Sequence, residues 1–387
     1  MDKDSITFLE GLSNAPGPSG FEREAVAVLH RRVEGYADEI CTDKMGSLVI
    51  SRKGKASTPV ILLPAHIDEI GFVVSSISSE GFLTFNPLGY WWDQTLIGQK
   101  VVVLARPGPV RGVIVSPHPY TTAAGSIDKV ITKDAMFIDI GASNREEVAS
   151  MGVRVGDPAV PDSGFFTMQR PRFRDGQRLG ERTIAFGKAF DNRIGTFLAA
   201  ELIRLLAKKK VKHPNRVVAA ATVQEETWQQ GARTVAHMMQ PDVAIALDVD
   251  VAGDIPGVGP ANAPTRLGEG VSITTWDTYM VPNQPLKELC IDICERKGIP
   301  YQLSHAKGGT DAGAIHATGI GVPSIAIGPP VRHMHSHVSV ADLQDIDDTL
   351  RFLVELIKAL DQRTVDSFTG LPGVRCGVWA TKNYKND

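Results

Sequence analysis

The sequence predicts an α/β fold, a mostly parallel mixed sheet sandwiched by helices, with a small all-β domain inserted into it. Three observations carry that expectation. Apolar runs of strand length at 60–65, 217–223, 243–247 and 323–328 alternate with helical segments, the order that builds a largely parallel sheet with helices on both faces. Residues 72–182 have a different texture. There, short β-rich runs such as 72–78 and 100–106 alternate with turn signals at 79–81, 106–109 and 156–158, as in a small barrel or sandwich. Finally, His, Asp and Glu stand just past the apolar runs, where open α/β sheets collect ligands and catalytic groups. The expected division is a discontinuous catalytic α/β domain, 1–71 and 183–387, and an inserted β-rich domain, 72–182.

Taken in order, residues 5–40 read as helical with a break at 15–20, whose Gly and Pro density marks a loop. Strands are expected at 47–51 and 60–65, the second running straight into His66-Ile67-Asp68. Trp91-Trp92, inside the β-rich segment, reads as packing or interface. Residues 194–210 read as a helix with Lys208, Lys209 and Lys210 at its negative end. Asp191 stands at its start, where capping is the ordinary role. The run 217–223 is too short for a helix of its own and stops at the adjacent acids Glu225 and Glu226. The strand at 243–247 ends at Asp248, and the one at 323–328 is soon followed by Arg332-His333-Met334-His335-Ser336-His337. A last helix is expected near 347–361, and the tail 364–387 reads as peripheral.

Composition narrows the function. The formal net charge of −3 gives no electrostatic case for a nucleic-acid or anionic-membrane partner. No apolar run approaches the roughly 18 residues of a membrane span, and the first residues carry no hydrophobic secretion segment. The four cysteines are scattered. Cys290 and Cys294 suit one face of a helix better than a metal site, and a cytoplasmic location is expected.

Collected, the strand-end residues are His66, Asp191, Glu226, Asp248 and His335, with Glu225 and Asp68 beside them. Two imidazoles and three carboxylates without a thiolate suit two divalent ions, Zn²⁺, Co²⁺ or Mn²⁺. Such ions, about 3.5–4 Å apart, activate water and polarise a carbonyl. A carboxylate such as Asp191 can bridge both ions, which imidazole cannot do. Glu225, next to a ligand, is suited to take the water's proton and pass it to a leaving amine. Asp68 is the acidic neighbour that holds the His66 ring in one tautomer. Adjacent glutamates cannot readily flank a sugar bond from opposite faces, which argues against a glycosidase.

In the order 65–72, 189–195, 223–226 with Gly231-Ala232, 248–257, 308–312 and 332–336, these segments resemble the TET-type dinuclear metallo-aminopeptidases, the glutamyl/deblocking aminopeptidase family of zinc exopeptidases. The resemblance covers about residues 5–360. It implies a zinc-exopeptidase-like catalytic domain in which His66 and Asp248 hold one metal, Glu226 and His335 the other, and Asp191 bridges them. It makes Glu225 the general base and acid and Asp68 the orienter of His66. It also implies a PDZ-like insert that pairs subunits, and dimers that assemble into a hollow twelve-subunit tetrahedron. Thr310 and Asp311 in the matched segments, with Trp228 and His337, are the candidate substrate contacts.

Two departures bear on substrate. Ser336 is followed by His337-Val338-Ser339 rather than by Pro and an acid, and Trp228-Gln229-Gln230 replaces the small or aliphatic and basic residues usual after the double Glu. The leading expectation is a metal-dependent aminopeptidase acting on short peptides. A related amidohydrolase for a small dipeptide-like or acylated metabolite is the alternative, and a metal-binding assembly protein that has lost catalysis is the third. The intact Glu225 counts against the last.

Overall fold

A computed structural model describes residues 1–118, 121, 129–174 and 176–370, without the side chain of Arg174. Its main layer is an eight-stranded mixed sheet in the order Glu39–Thr42, Leu48–Lys53, Arg216–Thr222, Val60–His66, Val243–Leu247, Ser324–Gly328, Val271–Thr274, Tyr301–Ser304. The four strands from Arg216–Thr222 to Ser324–Gly328 run parallel. They are the apolar runs of the sequence, buried along nearly their whole length, as strands covered on both faces must be. Helices Lys3–Asn14, Arg23–Val33, Phe190–Lys208 and Leu343–Ala359 pack on one face through Leu9, Leu29, Phe197, Leu202 and Phe352. Helix Gln230–Met239 covers the other through Val235 and Ala236.

Where parallel strands crowd, glycine decides how close the backbones come. A Cβ on Gly328 would lie 1.7 Å from the Asp248 carbonyl oxygen, and one on Gly195 would lie 2.3 Å from that of Leu247. Both contacts bring the helix and the neighbouring strand tight against the end of Val243–Leu247.

The inserted segment closes into a six-stranded barrel, Gly71–Ile77, Leu83–Leu88, Phe137–Asp139, Gly108–Val115, Lys100–Ala105 and Pro158–Pro161. Its core stacks Phe72 on Trp91, ring centroids 4.8 Å apart. The Trp91 indole N–H donates to the Gly71 carbonyl at 3.0 Å, while Trp92 lies exposed. Barrel strands run only from Gly71 to Pro161. The hairpin Phe166–Arg174 and Gln177–Gly187, within the expected insert, instead joins a second, five-stranded sheet with Ser339–Asp342, Pro330–Arg332 and Asp250–Val251.

Other differences are local. The expected helical stretch to residue 40 ends at Val33, and Glu39–Thr42 is an edge strand. It is turned back onto Leu48–Lys53 by Asp43, whose carboxylate accepts the amide N–H groups of Met45, Gly46 and Ser47. The last long helix starts at Leu343, four residues before the expected 347, because Asp342 caps it through the Gln344 N–H. Cys290 and Cys294 do share a buried helix face. The expected peripheral tail begins inside the core, where Val365 and Phe368 are buried; residues 371–387 lie outside the described residues.

Candidate active site

The four parallel strands and the loops that leave them deliver the site. His66 is the last residue of its strand; Glu225 and Glu226 follow Thr222; Asp248 follows Leu247; His335 lies just beyond Pro330–Arg332. Asp191 arrives by a different route. Just after Phe190, the first residue of its helix, Asp191 and Asn192 are non-helical. Asn192, not Asp191, caps the turn: its Oδ1 accepts the Gly195 N–H at 3.0 Å and its amide donates to the Leu247 carbonyl at 2.8 Å. The Asp191 carboxylate is left free to point into the site.

There it reaches both imidazoles, Oδ1 at 3.0 Å from His66 Nε2 and Oδ2 at 3.1 Å from His335 Nε2. Two groups follow, His66–Asp191–Asp248 and Asp191–Glu226–His335, each with ligand atoms within 4.8 Å of one another and therefore able to hold a metal ion. Among the described residues no lysine or arginine pairs with any of these carboxylates. Glu226 Oε1 is buried, accepts no hydrogen bond, and lies 3.4 Å from His335 Nε2. A buried carboxylate oxygen without a donor is costly unless a cation faces it. An all N/O donor set with a carboxylate shared between its halves fits a pair of divalent ions.

The charges say the same. Burial pushes the Glu225 and Asp248 carboxyls well above the usual range and raises Glu226, each with neighbouring carboxylates adding to the effect. Burial opposes protonation of His335, but Glu226 and Asp191 overcome it and raise the imidazole to about 11. Asp191 is held low against burial by its bonds to His335 and His66. Without added positive charge, this cluster keeps protons where a cation would serve.

Asp68 touches both the His66 ring and the turn of the two glutamates. Its carboxylate lies 3.5 Å from His66 Nδ1. It also accepts the amide N–H of Glu225 at 3.0 Å, that of Glu226 at 3.1 Å, and the Ser19 hydroxyl at 2.6 Å. The Glu225 Oε2 stands 3.9 Å from His66 Nε2 and belongs to neither group.

A cleft of about 1170 Å³ opens over the cluster, and Thr310 and Trp228 line it together with Gly89 and Tyr90 from the barrel. The other two candidate contacts do not line it. Asp311 is buried and takes a hydrogen bond from the Thr222 hydroxyl, and burial raises its carboxyl to about 6. His337 is also buried: the Ser336 hydroxyl ties the turn to the His333 and Val338 carbonyls, and the His337 ring packs 5.2 Å from Trp91. Burial there pushes its imidazole down to about 4. Several contributors went unnoticed in the sequence, among them Asn192, the loop residues Ser19 and Glu22, and the cleft cations Arg233 and Lys307. The Asn beside Asp191 was the one readable signal, since Asn is as good a helix cap as Asp.

A profile of the M42 glutamyl aminopeptidase family matches residues 46–352. The chain is similar to the TET aminopeptidase of the marine sediment archaeon Thaumarchaeota archaeon SCGC AB-539-E09, with 47% identity, a TM-score of 0.89, and 95% and 99% of the two chains covered. It is similar to Pyrococcus horikoshii TET1 peptidase, described as assembling into a tetrahedron or a large octahedral shell, at 27% identity and a TM-score of 0.79 over 92% and 100%. It is 32% identical to the lysyl aminopeptidase of Pyrococcus furiosus over 92% of this chain and 98% of the other.

Proposed function

The chain belongs to the M42 glutamyl aminopeptidase family and is a peptidase, and we propose that it removes N-terminal residues from short peptides using two divalent metal ions. The observation that carries this reading is the Asp191 carboxylate, whose two oxygens join the two candidate metal groups. His66 and Asp248 would hold one ion, Glu226 and His335 the other, and Asp191 both; the N/O donors suit Zn²⁺ first, with Co²⁺ or Mn²⁺ next. Bound ions supply an acidified water and polarise the scissile carbonyl. Glu225 Oε2 takes the proton of the attacking water and returns it to the departing amine nitrogen. Asp68 keeps the Nδ1 side of His66 engaged, which leaves Nε2 facing the site. The loops bearing Gly89, Tyr90 and Trp228 wall the cleft in which the cluster sits. Of the two residues behind the small-metabolite amidohydrolase, Trp228 lines the cleft and His337 is buried outside its lining, and the family match favours the peptidase.

The cleft also suggests which residue is removed. Beyond the metal groups its charged lining includes Arg233 and Lys307, neither in an ion pair among the described residues. The acid Asp250 is already engaged by the Ser272 hydroxyl at 2.7 Å. An N-terminal residue with an anionic side chain is therefore favoured over a lysine. With Zn²⁺ or Co²⁺ added, glutamyl anilides should be cleaved faster than leucyl and lysyl ones, and EDTA should abolish all three. Arg233→Ala should lower kcat/KM for the glutamyl substrate roughly fivefold, the upper end for a solvent-exposed ion pair. Equal loss on all substrates would remove the charge reading, and silence of the wild-type protein on every substrate would remove the peptidase mechanism.

The inserted β domain, 72–182 in sequence, is read as the surface that pairs subunits, with larger shells like those described for TET1 built from dimers. Light scattering returning the mass of a single chain would end that reading. The few, scattered cysteines of the sequence keep the cytoplasm as the proposed location.

A further inference from the structure

The turn that carries both glutamates is set by buried carboxylates from two other parts of the chain. Three consecutive amide N–H groups, those of Gln224, Glu225 and Glu226, each donate to a carboxylate oxygen. Glu225 and Glu226 are received by Asp68. Gln224 is received by Glu22 Oε1 at 3.1 Å. Gln224 has a φ of 56°, a left-handed conformation that disfavours a residue with a Cβ and persists only where the surroundings over-determine it.

Glu22 is itself fixed. It lies at the N-terminus of helix Arg23–Val33, is buried, and the same Oε1 accepts the Gly20 N–H at 2.7 Å. The loop before it is pinned from three sides. The Ala15 carbonyl accepts from the buried Arg193 guanidinium at 2.8 Å. The Gly17 N–H donates to Glu69 at 3.1 Å, and the Ser19 hydroxyl donates to Asp68 at 2.6 Å. Arg193 also donates to the Ile67 carbonyl at 2.6 Å, so the same frame holds the loop next to the His66 strand end. Glu22 makes no ion pair or hydrogen bond with any of the five candidate metal ligands. Its hydrogen bond toward the site is to the backbone of Gln224.

We infer that Glu22 is a positioning residue for the reaction: by accepting the Gln224 N–H it holds the left-handed turn that directs Glu225 at the attacking water. The inference rests on the reading of Glu225 as the proton-transferring group. A carboxylate offset by about 1 Å can cost up to about 100-fold in rate, which sets the size of the effect.

The test compares Glu22→Gln and Glu22→Ala with wild type under metal-loaded conditions. The glutamine keeps an acceptor oxygen at the same reach, so it should retain kcat within about threefold; the alanine should lose about 10- to 100-fold in kcat with KM within about twofold. Metal content should be unchanged in both. In the metal-free protein, amide hydrogen exchange at residues 224–226 should speed up in Glu22→Ala and stay slow in Glu22→Gln. If the alanine variant does not fold, Glu22→Asp, whose shorter side chain withdraws the acceptor, takes its place. Full kcat in the alanine variant would overturn the inference, as would a glutamine variant as weak as the alanine, or metal content falling in step with activity. An inactive wild type would fail the peptidase reading instead, and the exchange comparison would still decide whether Glu22 holds the turn.

Discussion

Glu225→Gln should bind the same metal ions as the wild type and turn substrate over about 10²–10⁴-fold more slowly, the range of a lost general acid–base group. That corresponds to roughly 3–5 kcal/mol of transition-state stabilisation. The substitution is nearly isosteric, and the position is held by its own backbone N–H on Asp68 rather than by its side chain. Glu225 belongs to neither candidate metal group, so elemental analysis should return the wild-type ratio. Its buried carboxyl is pushed well above the usual range by burial, with Asp311, Glu226 and Asp248 adding; a neutral amide suits that buried position, and the folded state should melt no lower than wild type. KM should hold while kcat falls, because the lost interaction is made only in the transition state. Near-wild-type kcat would assign proton transfer to another group.

The parts of this site that could be read from the sequence are those governed by local pattern. Apolar runs of five to seven residues ending in His66, Glu225-Glu226 and Asp248 became parallel strands whose ends meet, because such runs bury on both faces and their carboxyl ends share one edge. What escaped was non-local. The hairpin Phe166–Arg174 and Gln177–Gly187 looks like the barrel strands before it, and only its pairing with Ser339–Asp342, over 150 residues later, takes it out of the barrel. Asp311 and His337 looked like site residues by proximity in sequence, yet one turn of backbone buries each of them. Glu22 sat at the end of a loop legible only as a helix break, and its bond to Gln224 spans 202 positions. Asp191 shows the limit most sharply, since capping and bridging are both natural for an Asp at a helix start; Asn192, one residue on, takes the capping bonds and leaves the Asp191 carboxylate facing both imidazoles.

On the proposed pair of ions, Asp191→Ala is the most damaging single change. Both carboxylate oxygens are committed, one beside His66 and one beside His335, so its loss removes a ligand from both groups at once. The protein fold should survive, because Asn192 rather than Asp191 satisfies the Gly195 N–H and the Leu247 carbonyl; a cap lost there would cost about 1 kcal/mol. The expected result is a folded protein with both ions depleted on elemental analysis and no measurable peptidase activity. Asp248→Ala provides the contrast: it belongs to the His66 group alone and should deplete one ion while the Glu226–His335 side keeps its own. Two ions retained in Asp191→Ala would refute the bridge. Equal depletion in both variants would mean that the two sites fill only together, and the shared carboxylate would then be one contributor to a cooperative pair rather than its link.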